Sequence, residues 1–169
     1  RDSLGIYDLK TNKVEEIFIS NKWKKNKKDN HHINDLYVNE RSIFVSMFSF
    51  SGNWMKDVYD GSIVEISKKT GKIVQVLATD LWMPHSVNYL DNSISYVDSM
   101  RGRVVTSNKN IIARLNGFVR GLDFKDGYFF AAISQHRYPE KLMGPKKNVS
   151  LDCGIVKIEP KNGLTKFYQ

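Results

Sequence analysis

The chain has 169 residues, with 26 Lys and Arg against 18 Asp and Glu, a net charge of +8, and 41% hydrophobic and 12% aromatic residues. That apolar content excludes a disordered tail, the length suits about one domain, and no apolar run reaches the ~18 residues that would span a bilayer. Cys153 stands alone, which excludes an internal disulfide and a paired-cysteine zinc site and points to a reducing, cytoplasmic compartment.

In chain order, residues 4–19 open with Gly5-Ile6-Tyr7-Asp8-Leu9, a turn around Asn12, and a second short run from Val14. A short β-rich run, a turn residue that accepts positive φ and a second short run make a β-hairpin signal. Residues 21–30 follow as a basic loop, in which Lys22, Lys24, Lys25, Lys27 and Lys28 carry five of the eight net charges beside one aromatic, Trp23. A solvated surface loop is the plain reading of such a run and polyanion binding the sharper one. The remaining charge does not track a face, so nucleic acid is not an expected partner.

Three longer units come next, at about 31–80, 82–116 and 118–169. Each begins with two strands joined by a short polar turn: His32–Val38 with Ser42–Phe50, Pro84–Leu90 with Ser93–Val97, and Val119–Phe124 with Tyr128–Ile133. Each ends with a hairpin like the first, around Gly71, around Asn108 and around Gly163. Taking Ile6, Ile63, Val104 and Ile155 as equivalent, the hairpin recurs at steps of 57, 41 and 51 residues. Four-stranded propeller blades commonly repeat at about 40–50 residues. The expectation is therefore all-β, a β-propeller of four-stranded antiparallel blades, three complete and one represented by two strands; a β-sandwich is the rival, but it leaves the returning hairpin unexplained.

In a blade whose strands alternate up and down, the start of the first strand and the loop between the second and third lie on one face. Polar and ring residues gather at those places. First-strand starts read His31-His32-Ile33-Asn34-Asp35, Met83-Pro84-His85-Ser86 and Val119-Arg120-Gly121; the loops hold Trp54, then Asp98 and Arg101, then His136 and Arg137. The turns at the opposite face are short and generic.

Imidazoles titrate near neutral pH, so His32 and His85 are the candidate general acids or bases, against a plain reading as packed or capping residues. Arg120 is the candidate anion stabiliser, with pairing to Asp98 or Asp123 as the structural alternative. Asn34, Asp35, Ser86, Asp98, Arg101, His136 and Arg137 complete the candidate ligand-binding set. Ser86 lacks the glycine-flanked elbow of a nucleophile. Trp54 and Trp82 read first as packing residues. The insertion 135–153 is long enough to be a lid.

The segments His32-Ile33-Asn34-Asp35-Leu36, Met83-Pro84-His85-Ser86 with Tyr96-Val97-Asp98-Ser99-Met100-Arg101-Gly102, and Gly117-Phe118-Val119-Arg120-Gly121-Leu122 resemble the signatures of an uncharacterised bacterial β-propeller family, a domain of unknown function. That family is distantly similar to strictosidine-synthase-like and gluconolactonase-like six-bladed propellers. The resemblance covers residues 32 to about 158 and implies a propeller without implying a reaction. The wider group implies a divalent cation held at first-strand starts, for which only Asn34 and Asp35 fit. Arg120 would repel a cation there, so no cofactor is expected.

The expected function is binding of a small polar or anionic ligand at the channel mouth, with hydrolase or lyase chemistry and simple binding both open. The alternative is a protein-interaction scaffold on the same face. Three and a half blades make about half of a ring, since closed propellers have 4–8. The start inside a blade without Met reads as a piece of a longer protein, the other option being a second chain that completes the ring.

Overall fold

The structure, a computed structural model, describes residues 2–19, 25, 28–106, 110–136 and 152–169. Fourteen strands among the described residues form four antiparallel sheets. The first is the hairpin β1 (Ser3–Asp8) and β2 (Lys13–Phe18). The second runs in chain order through β3 (Ile33–Val38), β4 (Ser42–Met47), β5 (Gly61–Ser67) and β6 (Ile73–Leu81). The third holds β7 (Pro84–Leu90), β8 (Ser93–Asp98), β9 (Arg103–Thr106) and β10 (Asn110–Arg114). The fourth holds β11 (Phe118–Lys125), β12 (Tyr128–Ser134), β13 (Gly154–Ile158) and β14 (Thr165–Tyr168). A 3-10 turn, Trp54–Lys56, lies in the loop between β4 and β5.

Turn chemistry explains the hairpins. Asn12, Gly71 and Gly163 adopt positive φ at the turns closing the β1–β2, β5–β6 and β13–β14 pairs, and the Asp91-Asn92 and Asp126-Gly127 pairs are left-handed at both residues. Those are the residue types for which that conformation costs least.

Both faces of β4 are buried, which is why Ile43, Phe44 and Val45 follow one another without apolar–polar alternation. Phe44 and Ile63 face the third sheet and pack with Val87, Tyr96 and Val105, whereas Val45 and Val64 face the first hairpin and pack with Leu4 and Ile17. On the far side of the third sheet Val97 and Val104 meet Phe129, Ala131 and Val156. Successive sheets thus stack face to face, and β7 lies beside both β3 and β11, so the three first strands are neighbours.

Candidate functional site: a histidine and aromatic rim

Each first strand breaks register near its start. One extra residue, Asn34 in β3 and Arg120 in β11, interrupts the pairing, and in β7 the break falls across Ser86 and Val87. A β-bulge of this kind re-aims side chains. Here it aims them at the neighbouring sheet. Asn34 Nδ2 donates to Pro84 O (2.8 Å) and its Oδ1 accepts from Ser46 Oγ (2.8 Å). Asp35 Oδ2 accepts the Ser86 amide (2.9 Å), its Oδ1 accepts the Leu36 amide (3.0 Å), and Ser86 Oγ donates to Arg120 O (2.7 Å).

Asn34, Asp35 and Ser86 therefore staple β3 to β7 and β7 to β11. The oxygens a cation would need at Asn34 and Asp35 already accept protein hydrogen bonds, so this pair does not fit the divalent-cation site that the resemblance implies. Among the described residues no group of three or more His, Cys, Asp or Glu is placed to hold a metal ion.

Above the staples the rings form one row. His32 lies 4.4 Å from Phe48 and 4.6 Å from Trp54, centroid to centroid; Phe48 lies 5.2 Å from His85; His85 lies 5.5 Å from Phe118; and Phe118 lies 5.9 Å from His136. Three imidazoles thus alternate with two phenylalanines, and the Arg120 guanidinium stands 5.2 Å over the Phe118 ring. Phe48 and Phe118 are buried with Met83 and Met100, with Trp54, Tyr59 and Trp82 packed against them. Trp54 and Trp82 are packing residues, as their plain reading has it.

The imidazoles differ in their surroundings. His32 Nδ1 meets Asp29 Oδ2 at 2.5 Å. An ionised carboxylate only accepts, so the His32 proton sits on Nδ1 and the Nε2 lone pair is free to take another. Burial works against the charge on Asp29, but the hydrogen bond and the imidazole of His32 outweigh it and hold that carboxyl below its ordinary value. His85 Nδ1 contacts Met83 O (2.9 Å) and Ser99 Oγ (2.8 Å). Because a carbonyl can only accept, Nδ1 carries the proton here too. Burial lowers the His85 pKa to about 4, against the Met83 hydrogen bond and with help from the charge of Arg120, so the ring is neutral at ordinary pH. His31 is buried and donates through Nδ1 to Ser49 O (2.9 Å), a structural contact.

Asp98 and Arg101 belong to a different place. They line a cleft of about 160 Å³ between β6 and β8–β10, with Asp80, Tyr96 and Arg103. Asp98 is fully buried and accepts the Trp82 amide (2.8 Å), while Arg101 and Arg103 stand 3.5 and 3.8 Å from its Oδ2. Arg101 also bonds Asp80 O and lies over Trp82 at 4.8 Å. Asp98 thus turns to Arg101 and Arg103, and Asp123 Oδ1 accepts the Phe124 amide (2.8 Å).

Arg137, most of the 135–153 insertion, and Lys22, Trp23, Lys24 and Lys27 lie outside the described residues, whereas Lys25 and Lys28 are exposed. Sequence reasoning did not single out Asp29, Phe48 or Phe118. Asp29 stands three residues before His32, and the two phenylalanines follow the β4 strand and begin β11; proximity to a predicted first-strand start was the available signal.

These features define an all-β protein of stacked antiparallel sheets with a histidine-rich rim. The chain belongs to the family described as Domain of unknown function (DUF4915), whose model matches residues 15–166. No curated protein matches the chain. Among the described residues no helix is long and apolar enough to cross a membrane.

Proposed function

We propose that the protein is of β-propeller type and binds a small, hydroxyl-rich anion on the row formed by His32, His85, His136 and Arg120, with His32 as its acid–base group. The carrying observation is the row itself: three imidazoles and a guanidinium share one strip with Phe48 and Phe118. Apolar ring faces lower the local dielectric and strengthen each polar contact made beside them.

The roles divide by charge. Arg120 supplies the positive charge, a planar fork suited to a carboxylate or phosphate. His85, neutral and with its Nδ1 proton engaged, accepts from a ligand hydroxyl through Nε2. His32 takes a proton at Nε2 while Asp29 stabilises the resulting imidazolium, the arrangement that general-base catalysis requires. Asn34, Asp35 and Ser86 hold the three first strands in register beneath.

Support for the propeller comes from the three four-stranded meanders, stacked face to face with their first strands adjacent. The outer face of β11–β14 exposes Ile155 and Tyr168, where a further sheet, from this protein or a second copy, would pack.

The test is titration with glucuronate and with glucose, followed by tryptophan fluorescence, since Trp54 adjoins His32. Glucuronate is expected to bind and glucose to bind at least tenfold more weakly. Arg120→Ala is expected to weaken glucuronate by tenfold or more with the circular dichroism unchanged. Unaltered glucuronate binding in that variant overturns the assignment.

A further inference from the structure

The backbone that carries His32 is fastened from another sheet. Asp2, fully buried just before β1, accepts three consecutive amides: Asn30 at 2.7 Å and His31 at 2.8 Å on Oδ2, and His32 at 3.0 Å on Oδ1. The His32 amide also reaches Asp29 Oδ1 at 3.0 Å. Two carboxylates from different parts of the chain thus converge on one backbone N–H.

Successive amides pointing into one concavity form an anion-binding nest. This one is filled by the protein's own carboxylate. Its consequence lies in the conformation of His32, whose φ of 51° is left-handed, a region that non-glycine residues occupy only when the surroundings enforce it. In that conformation the ring reaches back to Asp29 and lies against Phe48 and Trp54.

We infer that Asp2 is a positioning residue of the site, setting the His32 tautomer by holding the 30–32 amides so that Nδ1–H meets Asp29 and Nε2 is left open. The inference rests on the reading of His32 as the acid–base group. Asp2 touches no part of the ring; it acts through the 30–32 amides and through its side-chain contact with the Asp29 carboxyl. An isosteric amide replaces it only in part: its carbonyl can accept the Asn30 and His31 amides as Oδ2 does, but its NH2 would turn a donor toward the His32 amide.

The readout is the 15N chemical shifts of the His32 ring, which distinguish Nδ1–H from Nε2–H. The unmutated protein is expected to show the Nδ1–H form with a downfield, hydrogen-bonded ring proton. Asp2→Asn is expected to lose that resonance and move the ring toward Nε2–H, while His85 keeps its own shifts and so reports an intact rim. Asp2→Glu is expected to restore the Nδ1–H form in part.

Retention of the His32 signature in folded Asp2→Asn overturns the inference. Should that variant not fold, hydrogen exchange in the unmutated protein decides: the amides of Asn30, His31 and His32 are expected to exchange as slowly as the β4 amides, and fast exchange overturns the inference equally. Failure of glucuronate to bind would remove the functional reading and leave these tautomer measurements unaffected, so the two are separable.

Discussion

The His85 ring is neutral because desolvation costs an imidazolium more than the Met83 carbonyl returns, and Arg120 adds repulsion. With a native pKa of about 4 against an ordinary 6.5, the unfolded chain binds more protons between those values. Stability therefore falls as pH drops through that window, by about 3 kcal/mol once the pH is below both. Urea midpoints measured from pH 7.5 to 4 are expected to decline less steeply for His85→Asn than for the unmutated protein. Parallel declines would remove His85 as the cause. Asp98 shows the same force with the opposite sign: burial raises its carboxyl despite the Trp82 amide, Arg101 and Arg103. Residue types at the rim were readable from the sequence, since three of the four histidines fell at the expected ends of strands. The protonation of His85 was not. It depends on Phe48 and Phe118, which only packing brings to either side of His85.

Strands and turns are the scale at which sequence pattern speaks most directly, because alternation and positive-φ turn residues are local properties. The hairpins around Asn12, Gly71 and Gly163 follow from them. The bulges do not, because a bulge depends on the partner strand. Arg120 is an instance: as the extra residue of a bulge it leaves the regular alternation of β11. Asn34→Ala would remove the bond to Pro84 O and leave Ser46 Oγ only its long contact with Asp35 O (3.4 Å), and the loss is expected to cost about 1–3 kcal/mol in urea denaturation. A change below about 0.5 kcal/mol would mean that the staple contributes nothing to stability. Gly61 is the sharper probe of close approach between elements. A Cβ there would stand 2.6 Å from Leu81 O and 2.9 Å from Met47 O, both backbone atoms that cannot swing aside. Gly61→Ala is expected to cost about 1–3 kcal/mol, the range of overpacked cores.

Over the whole molecule, stability resides in the apolar layers between successive sheets. Phe129 is fully buried in the layer between the third and fourth sheets. Phe129→Ala is expected to cost about 3–5 kcal/mol by denaturant unfolding; a loss under about 1 kcal/mol would show that the sheets do not stack there. The excess of positive charge, which at first suggests a polyanion partner, sits largely in residues 22–28, of which the described Lys25 and Lys28 are exposed.

Composition, alternation and turn residues determined an all-β chain of antiparallel strands, and they determined which strand ends carry the unusual side chains. Those are short-range consequences of backbone sterics and of which faces are apolar. The contacts that make a site were decided by tertiary structure. Asp2 reaches the amides of 30–32 from another sheet, Asn34 and Ser86 turn into staples, Asp98 joins Arg103 in a cleft of its own, and the imidazoles line up with Phe48 and Phe118. Asp98 meets Arg103 across the β8–β9 pair of one sheet, whereas the other three share a physical reason: hydrogen-bond partners and dielectric surroundings are set by residues far apart in the chain, which the packing of one sheet on the next brings within reach.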